Sequence, residues 1–168
     1  MRAHPVQAGL GDRRRRLLAA ARGRVLDVGG YVHNGPHYPP GVDVHDIAVE
    51  EVDGLDTAPF DTVVCTLVLC TVDDLRTTLA GLRARLAADG RLLFIEHVRG
   101  GALRSVGQRV ARPLWQQAFS GCRPDRDTVA AVRAAGFLIT DLDRFTVRLA
   151  APVVSPAVQG VAKKAAST

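Results

Sequence analysis

The sequence predicts one α/β domain spanning residues 1–168, built on a doubly wound, mostly parallel sheet. Three observations predict it. Short β-branched apolar runs alternate with stretches of helical spacing; several of those runs are apolar throughout, as strands covered on both faces must be; and glycines stand at their ends. At 168 residues, with 47% hydrophobic and 23% charged residues, the chain can bury a real core but has no room for a second unit of any size.

Residues 11–22 read as a helix in which Arg13, Arg14, Arg15 and Arg16 abut Leu17, Leu18, Ala19 and Ala20. Four adjacent arginines could contact phosphate, but beside that apolar stretch they read as the solvated start of an amphipathic helix. Residues 24–28 form a first buried strand, stopped by Gly29 and Gly30. From 31 to 41 the chain is a loop with at most one helical turn, because Pro36, Pro39 and Pro40 exclude a long helix. Residues 42–47 alternate apolar and polar as a half-covered strand does, and 49–52 read as a second extended stretch before Asp53 and Gly54.

Residues 61–70 open with a β-branched run that suits a central strand. Across 72–88, Leu75, Leu79, Leu82 and Leu86 recur at helical spacing, with Asp73 and Asp74 in the first turn and Asp89-Gly90 as the stop. Residues 91–98 are the next buried strand. An amphipathic helix over 105–120, interrupted by Pro113, precedes a helix over 125–135 ended by Gly136. Two closing strands, 137–147 and 153–162, are joined by a Pro-containing turn.

No apolar run approaches the ~20 residues of a membrane-spanning helix, and the first residues lack the apolar core of a secretory signal, so a cytoplasmic protein without a membrane span is expected. Cys65, Cys70 and Cys122 are odd in number, and no CxxC or HxxxH spacing suggests a metal, so reduced structural cysteines and no metal are expected. The net charge of +5 rests on arginine, Lys163 and Lys164 being the only lysines, and aromatic residues make up only 5%. Nucleic acid is therefore not the expected partner.

Ligands of a doubly wound sheet sit outside the carboxyl ends of its strands. The residues there are 29–33, Asp46, Asp53, 66–70 and 96–99. Val25-Leu26-Asp27-Val28-Gly29-Gly30 suits close approach of backbone to a ligand, since glycine lacks the Cβ that would block it. Further on, the stretch from Phe60 through Thr66-Leu67 to Val72, and the stretch from Leu86 to Glu96-His97-Val98, resemble the fourth and fifth motifs of class I methyltransferases. The likeness is to the branch holding the thiol methyltransferases and, more distantly, the quinone-biosynthesis C-methyltransferases. It extends to His37-Tyr38-Pro39-Pro40-Gly41, Pro113-Leu114-Trp115, Ser120-Gly121-Cys122, Ala135-Gly136-Phe137 and the tail from Ala151-Pro152 to Lys163.

The resemblance implies a Rossmann-like fold, S-adenosylmethionine as cofactor, and Asp27, Gly29, Gly30, Thr66 and Leu67 around it. For the acid that holds the ribose hydroxyls, Asp46 ends the strand-like run, while counting from Pro39-Pro40-Gly41 gives Ala48. Asp53 is similar to the family's acid that accepts from the adenine amine. Two departures stand out. The later glycines of the family's loop are here Tyr31 and His33, placing a bulky ring where it would crowd or stack on the methionine end of the cofactor. Only 33 residues separate Val28 from Thr62, so one crossover helix is expected to be missing, and the sheet edge this truncates is where a homodimer would form.

Methyl transfer from a sulfonium is an in-line displacement that depends chiefly on positioning. The expected acceptor is a small apolar thiol or aromatic hydroxyl. A thiol, with a pKa of about 8.5, needs little help to ionise, whereas a hydroxyl benefits from a base. His97, at a strand exit beside Glu96, is the candidate base, and hydrogen bonding of both residues to nearby backbone is the competing reading. His33 and His37 lie in the loop that would face the methionine moiety, and Trp115, with Leu114 and Phe119, would roof an acceptor pocket or pack in the core. The alternative for the whole chain is a non-catalytic binding or scaffold protein that kept the fold.

Overall fold

A computed structural model describes residues 10–55, 57–118, 121–147 and 155–165. The chain runs α1 (Gly11–Leu18), β1 (Arg24–Val28), α2 (Tyr31–Asn34), a 3-10 turn (Gly35–His37), β2 (Asp43–Ile47), a second 3-10 turn (Val49–Gly54) and β3 (Phe60–Thr66). It continues with α3 (Leu75–Arg85), β4 (Leu86–His97), α4 (Ala102–Ala118), α5 (Thr128–Ala134), β5 (Phe137–Thr146) and β6 (Pro156–Lys164). The six strands form one sheet in the order β2-β1-β3-β4-β6-β5. β2, β1, β3 and β4 pair in parallel, and β6 pairs antiparallel with both β4 and β5, so it alone runs against the rest.

Alternation along the strands builds a core on each face. Leu26, Val63, Cys65, Leu92 and Phe94 pack with Leu79 and Leu82 of α3 and Val129 and Val132 of α5. Val25, Val64, Leu93 and Ile95 point the other way, onto Leu10, Leu17 and Leu18 of the α1 segment. Strands buried on both faces explain why β1, β3 and β4 read as unbroken apolar runs.

The middle of the chain departs from expectation. Residues 49–52 are not extended: Val49–Gly54 is a 3-10 turn, with the Ala48 N–H donating to Glu51 Oε2 at 2.7 Å. Twelve residues, 48–59, join β2 to β3 across β1, about the minimum for a parallel crossover, so they have no length left for a strand and a helix. The loss therefore includes a strand as well as a helix, and β2 becomes the sheet edge. Elsewhere the differences are local. Leu86 begins β4 rather than ending the helix, and Pro113 lies within α4 without interrupting it. The turn expected between the closing strands lies outside the described residues.

The arginine run is not a uniformly solvated face. Arg13 pairs with Asp143 at 2.6 Å and lies 3.5 Å over the Phe145 ring, and Arg14 is only 1% exposed. Arg15 and Arg16 remain in solvent. No helix among the described residues is long and apolar enough to cross a membrane.

Candidate functional site

Strand order reverses between β1 and β3: β2 lies on one side of β1 and every later strand on the other. The carboxyl ends of β1 and β3 therefore flank the crevice where a sheet of this kind takes its ligand. Gly29 turns the chain there at φ +64°, a conformation that suits glycine, and its N–H donates to Ile47 O at 2.8 Å. Gly29 is exposed, whereas Gly30 is buried over polar side chains: a Cβ on Gly30 would stand 2.8 Å from Thr66 Oγ1 and 2.9 Å from Asp27 Oδ1.

Those side chains form a closed network beneath the turn. Asn34 Nδ2 donates to both oxygens of Asp27 at 3.1 Å, and the Tyr38 hydroxyl donates to Asp27 Oδ2 at 2.7 Å. Asn34 Oδ1 in turn accepts from Arg14 Nε at 3.0 Å and from Thr66 Oγ1 at 3.1 Å. Burial pushes the Asp27 carboxyl up to about 6, opposed by the bonds from Tyr38 and Asn34. Burial likewise pulls Arg14 down to about 10, against the attraction of Asp27. Asp27 thus fixes the glycine turn from below; fully buried, it does not face a ligand.

Asp46 is the register partner of Asp27, so it stands on the same face of the sheet one strand away, and its charge adds to the upward push on Asp27. It is exposed, at the carboxyl end of β2. Thr66 ends β3 within the network, and Leu67 follows at φ +59°, a rare conformation for a branched residue, with its N–H on Ile95 O at 2.7 Å. Tyr31 does not crowd the turn: its ring lies back over Gly35, where an added Cβ would meet it at 3.3 Å. His33 and His37 flank the same loop, both pushed down by burial and by nearby positive charge, that of Arg14 for His33 and of Arg15 and Arg14 for His37.

Asp53 is not brought to this crevice. Its carboxylate faces Gly81 and its carbonyl accepts from Arg85 Nη2 at 2.8 Å. Both are on the later turns of α3, which runs back from the exit of β3 toward the amino ends of the strands. The absent strand is the physical reason: nothing carries residues 49–54 out along the sheet.

Glu96 and Arg126 clamp the segment after β3. The Glu96 carboxylate accepts from the N–H groups of Val68, Leu69 and Cys70 at 3.0, 2.9 and 3.1 Å. Burial pushes it up to about 7 despite these bonds. Arg126 donates to the carbonyls of Leu69, at 2.8 Å, and Val72. For Glu96, hydrogen bonding to backbone is therefore the correct reading.

His97 is only 4% exposed and meets two cysteines rather than a cleft. Its Nδ1 is 3.5 Å from Cys122 Sγ, which is 3.3 Å from Cys70 Sγ. Cys70 is pushed up by its bond to Cys122 and by burial. Cys122 is pulled down by that bond and by His97 and Trp115. Trp115 therefore serves this cluster, while Leu114 beside it is exposed and Phe119 lies outside the described residues. Spacing in sequence could not reveal a group whose members come from three separate segments. A cavity of about 280 Å³ opens beyond the exit of β4, lined by Val98, Arg99, Arg104, Phe145 and Pro156 among others.

Residues 2–140 match the family described as the methyltransferase domain. Thiol S-methyltransferase TMT1B of Homo sapiens is 35% identical over 117 residues, covering 68% of this chain and 48% of that protein. The chain spans less than half the length of each relative it matches in this way. Among solved structures, the N-methyltransferase NodS of Bradyrhizobium japonicum, in complex with S-adenosyl-L-homocysteine, superposes with a TM-score of 0.64 at 13% identity, covering 96% of this chain and 89% of NodS. The [4+2]-cyclase SpnF gives 0.65 at 16% identity, covering 94% of this chain and 81% of SpnF.

Proposed function

The chain belongs to the methyltransferase-domain family, and from that premise we propose that it transfers a methyl group from S-adenosylmethionine to a small thiol. One observation carries this reading: the exposed, left-handed Gly29 and the buried Gly30 form a backbone cradle at the strand-order reversal, propped from below and open above. When bound there, S-adenosylmethionine supplies an electrophilic methyl on a sulfonium.

The chain's own residues hold and orient. Gly29 and Gly30 let backbone approach the ligand closely, Asp46 offers an exposed carboxylate to a ribose diol, and Leu67 stands on the opposite wall with Thr66 buried beneath it. The Asp27–Asn34–Arg14 network keeps that wall rigid, so that positioning costs little at the moment of reaction. The thiol class is supported by the identity with the thiol S-methyltransferases. A thiol acceptor ionises near neutrality, which suits a site in which the candidate base, His97, is buried. His97 as base is retained only for a hydroxyl acceptor. Three buried free cysteines suit the reducing cytoplasm. A small molecule fits better than nucleic acid, since Arg13 and Arg14 are engaged internally. Homodimer formation through β2 is disfavoured by the exposed carboxylates of Asp43 and Asp46 on that edge.

The second reading, a binding protein without turnover, is favoured by the burial of His97 and by the shortened middle of the sheet. Incubation with methyl-labelled S-adenosylmethionine and a small alkane thiol separates the two. The methyl bonds to sulfur, the thiol proton passes to solvent, and the demethylated nucleoside leaves. Mass spectrometry is expected to find methyl thioether and S-adenosylhomocysteine in equal amounts. Cofactor binding without product from thiols or phenols would establish the second reading instead.

A further inference from the structure

We infer that Cys70, His97 and Cys122 form a binding site for a thiophilic divalent cation of the zinc class, with a non-protein ligand in the fourth position. The inference does not rest on methyl transfer to a thiol, which leaves His97 free of any role as base. Cys70 lies beyond the exit of β3, His97 ends β4, and Cys122 follows α4, so three segments converge on one point. One ligand atom from each falls within 4.8 Å of the others; the sulfurs are 3.3 Å apart and the imidazole Nδ1 is 3.5 Å from Cys122 Sγ. Two thiols and an imidazole are the donor set that selects zinc over magnesium or calcium. With Zn–S bonds of about 2.3 Å, tetrahedral geometry sets the sulfurs about 3.8 Å apart, so the pair need separate by only about half an ångström.

Two further observations point to a ligand rather than to ordinary packing. Cys70, His97 and Cys122 are at most 4% exposed, so the three donors meet one another and not solvent. A neutral imidazole is the commonest metal ligand, and here Nδ1 is the ring nitrogen turned toward the sulfurs. The backbone also holds the donors in place. Glu96 accepts from the Cys70 N–H, the Arg123 N–H donates to Cys70 O at 2.8 Å, and Gly121 turns at φ +80° just before Cys122. The site is thus assembled by the same clamps that order the segment after β3. Filled, it would tie that segment to the turn after α4.

Cobalt(II) tests this in the full-length protein, reduced and stripped of metal by a chelator. Wild type is expected to take up one equivalent, with sulfur-to-metal charge-transfer absorption and the intense visible bands of a tetrahedral ion, all erased by one equivalent of zinc. His97→Ala and Cys122→Ser are expected to weaken binding by about a hundredfold or more, and Cys65→Ser to leave it unchanged. If the variants fail to fold, the wild-type spectrum still decides, because thiolate ligation produces the charge-transfer bands. A folded wild type that shows no such bands, and whose cysteines react with a thiol reagent equally fast with and without zinc, would overturn the inference. So would a Cys70–Cys122 disulfide that, once reduced, leaves a protein taking up no metal.

Discussion

Asn34 is the side chain on which the glycine turn depends. It is wholly buried, its amide donates to both Asp27 oxygens, and its carbonyl accepts from Arg14 and Thr66, so four of its hydrogen-bonding positions are used. Asn34→Leu would leave a buried carboxylate and a buried guanidinium without the group that joins them. Urea unfolding is expected to show a loss of about 3 kcal/mol or more. Asp27 provides a pH test. Its folded pKa, about 6, lies above the ordinary value of 3.8, so the folded state binds the extra proton and this group's contribution to stability falls as pH rises from about 4 to about 6. The full difference is about 3 kcal/mol as an order of magnitude. Asp27→Asn cannot ionise; its stability relative to wild type should therefore rise with pH across that window, and a constant difference would contradict the assignment. Asp27, Gly29 and Gly30 were legible because an acid and two glycines closing an apolar run have a local signature. Arg14 and Asn34 were not, since one is hidden among four arginines and the other in an irregular loop.

At the scale of the element, the turn from β1 into α2 is set by the space under Gly30. Gly30→Ala would drive a methyl group into Thr66 and Asp27, whereas Gly11→Ala at the start of α1 meets nothing within 4 Å. The first is expected to lower thermal stability markedly and to abolish nucleoside binding, and the second to change stability by no more than about 1 kcal/mol. Differential scanning fluorimetry with and without ligand reads both. The segment after β3 gives a companion test: Glu96→Gln replaces one of the two accepting oxygens with a donor facing backbone N–H groups. Faster amide exchange at residues 68–70 is expected, with little change in α1. Strands buried on both faces, and helices with leucines at regular spacing, were readable from the order of apolar residues alone. The identity of residues 49–54 was not, because a short apolar-acidic stretch suits a strand or a 3-10 turn equally until the crossover length decides.

For the whole molecule, shortening has acted on one flank. β1, β3 and β4 keep their pairing and the reversal of strand order survives, while the sheet ends at β2 and Asp53 is carried toward α3. An acid assigned by its place after a strand loses that place when the strand is absent, which is why Asp46 lies at the carboxyl end of β2 as its sequence position implies whereas Asp53 does not follow a strand. The fold alone does not fix the reaction, as superposition on both a methyltransferase and a cyclase shows. The proposed methyl transfer therefore depends on the crevice between β1 and β3. Isothermal titration with S-adenosylhomocysteine tests it most directly. One saturable site is expected, weakened at least about tenfold by Asp46→Ala and unaffected by Asp53→Ala. Absence of both heat and thermal shift at millimolar nucleoside, in a protein shown to be folded, would contradict it.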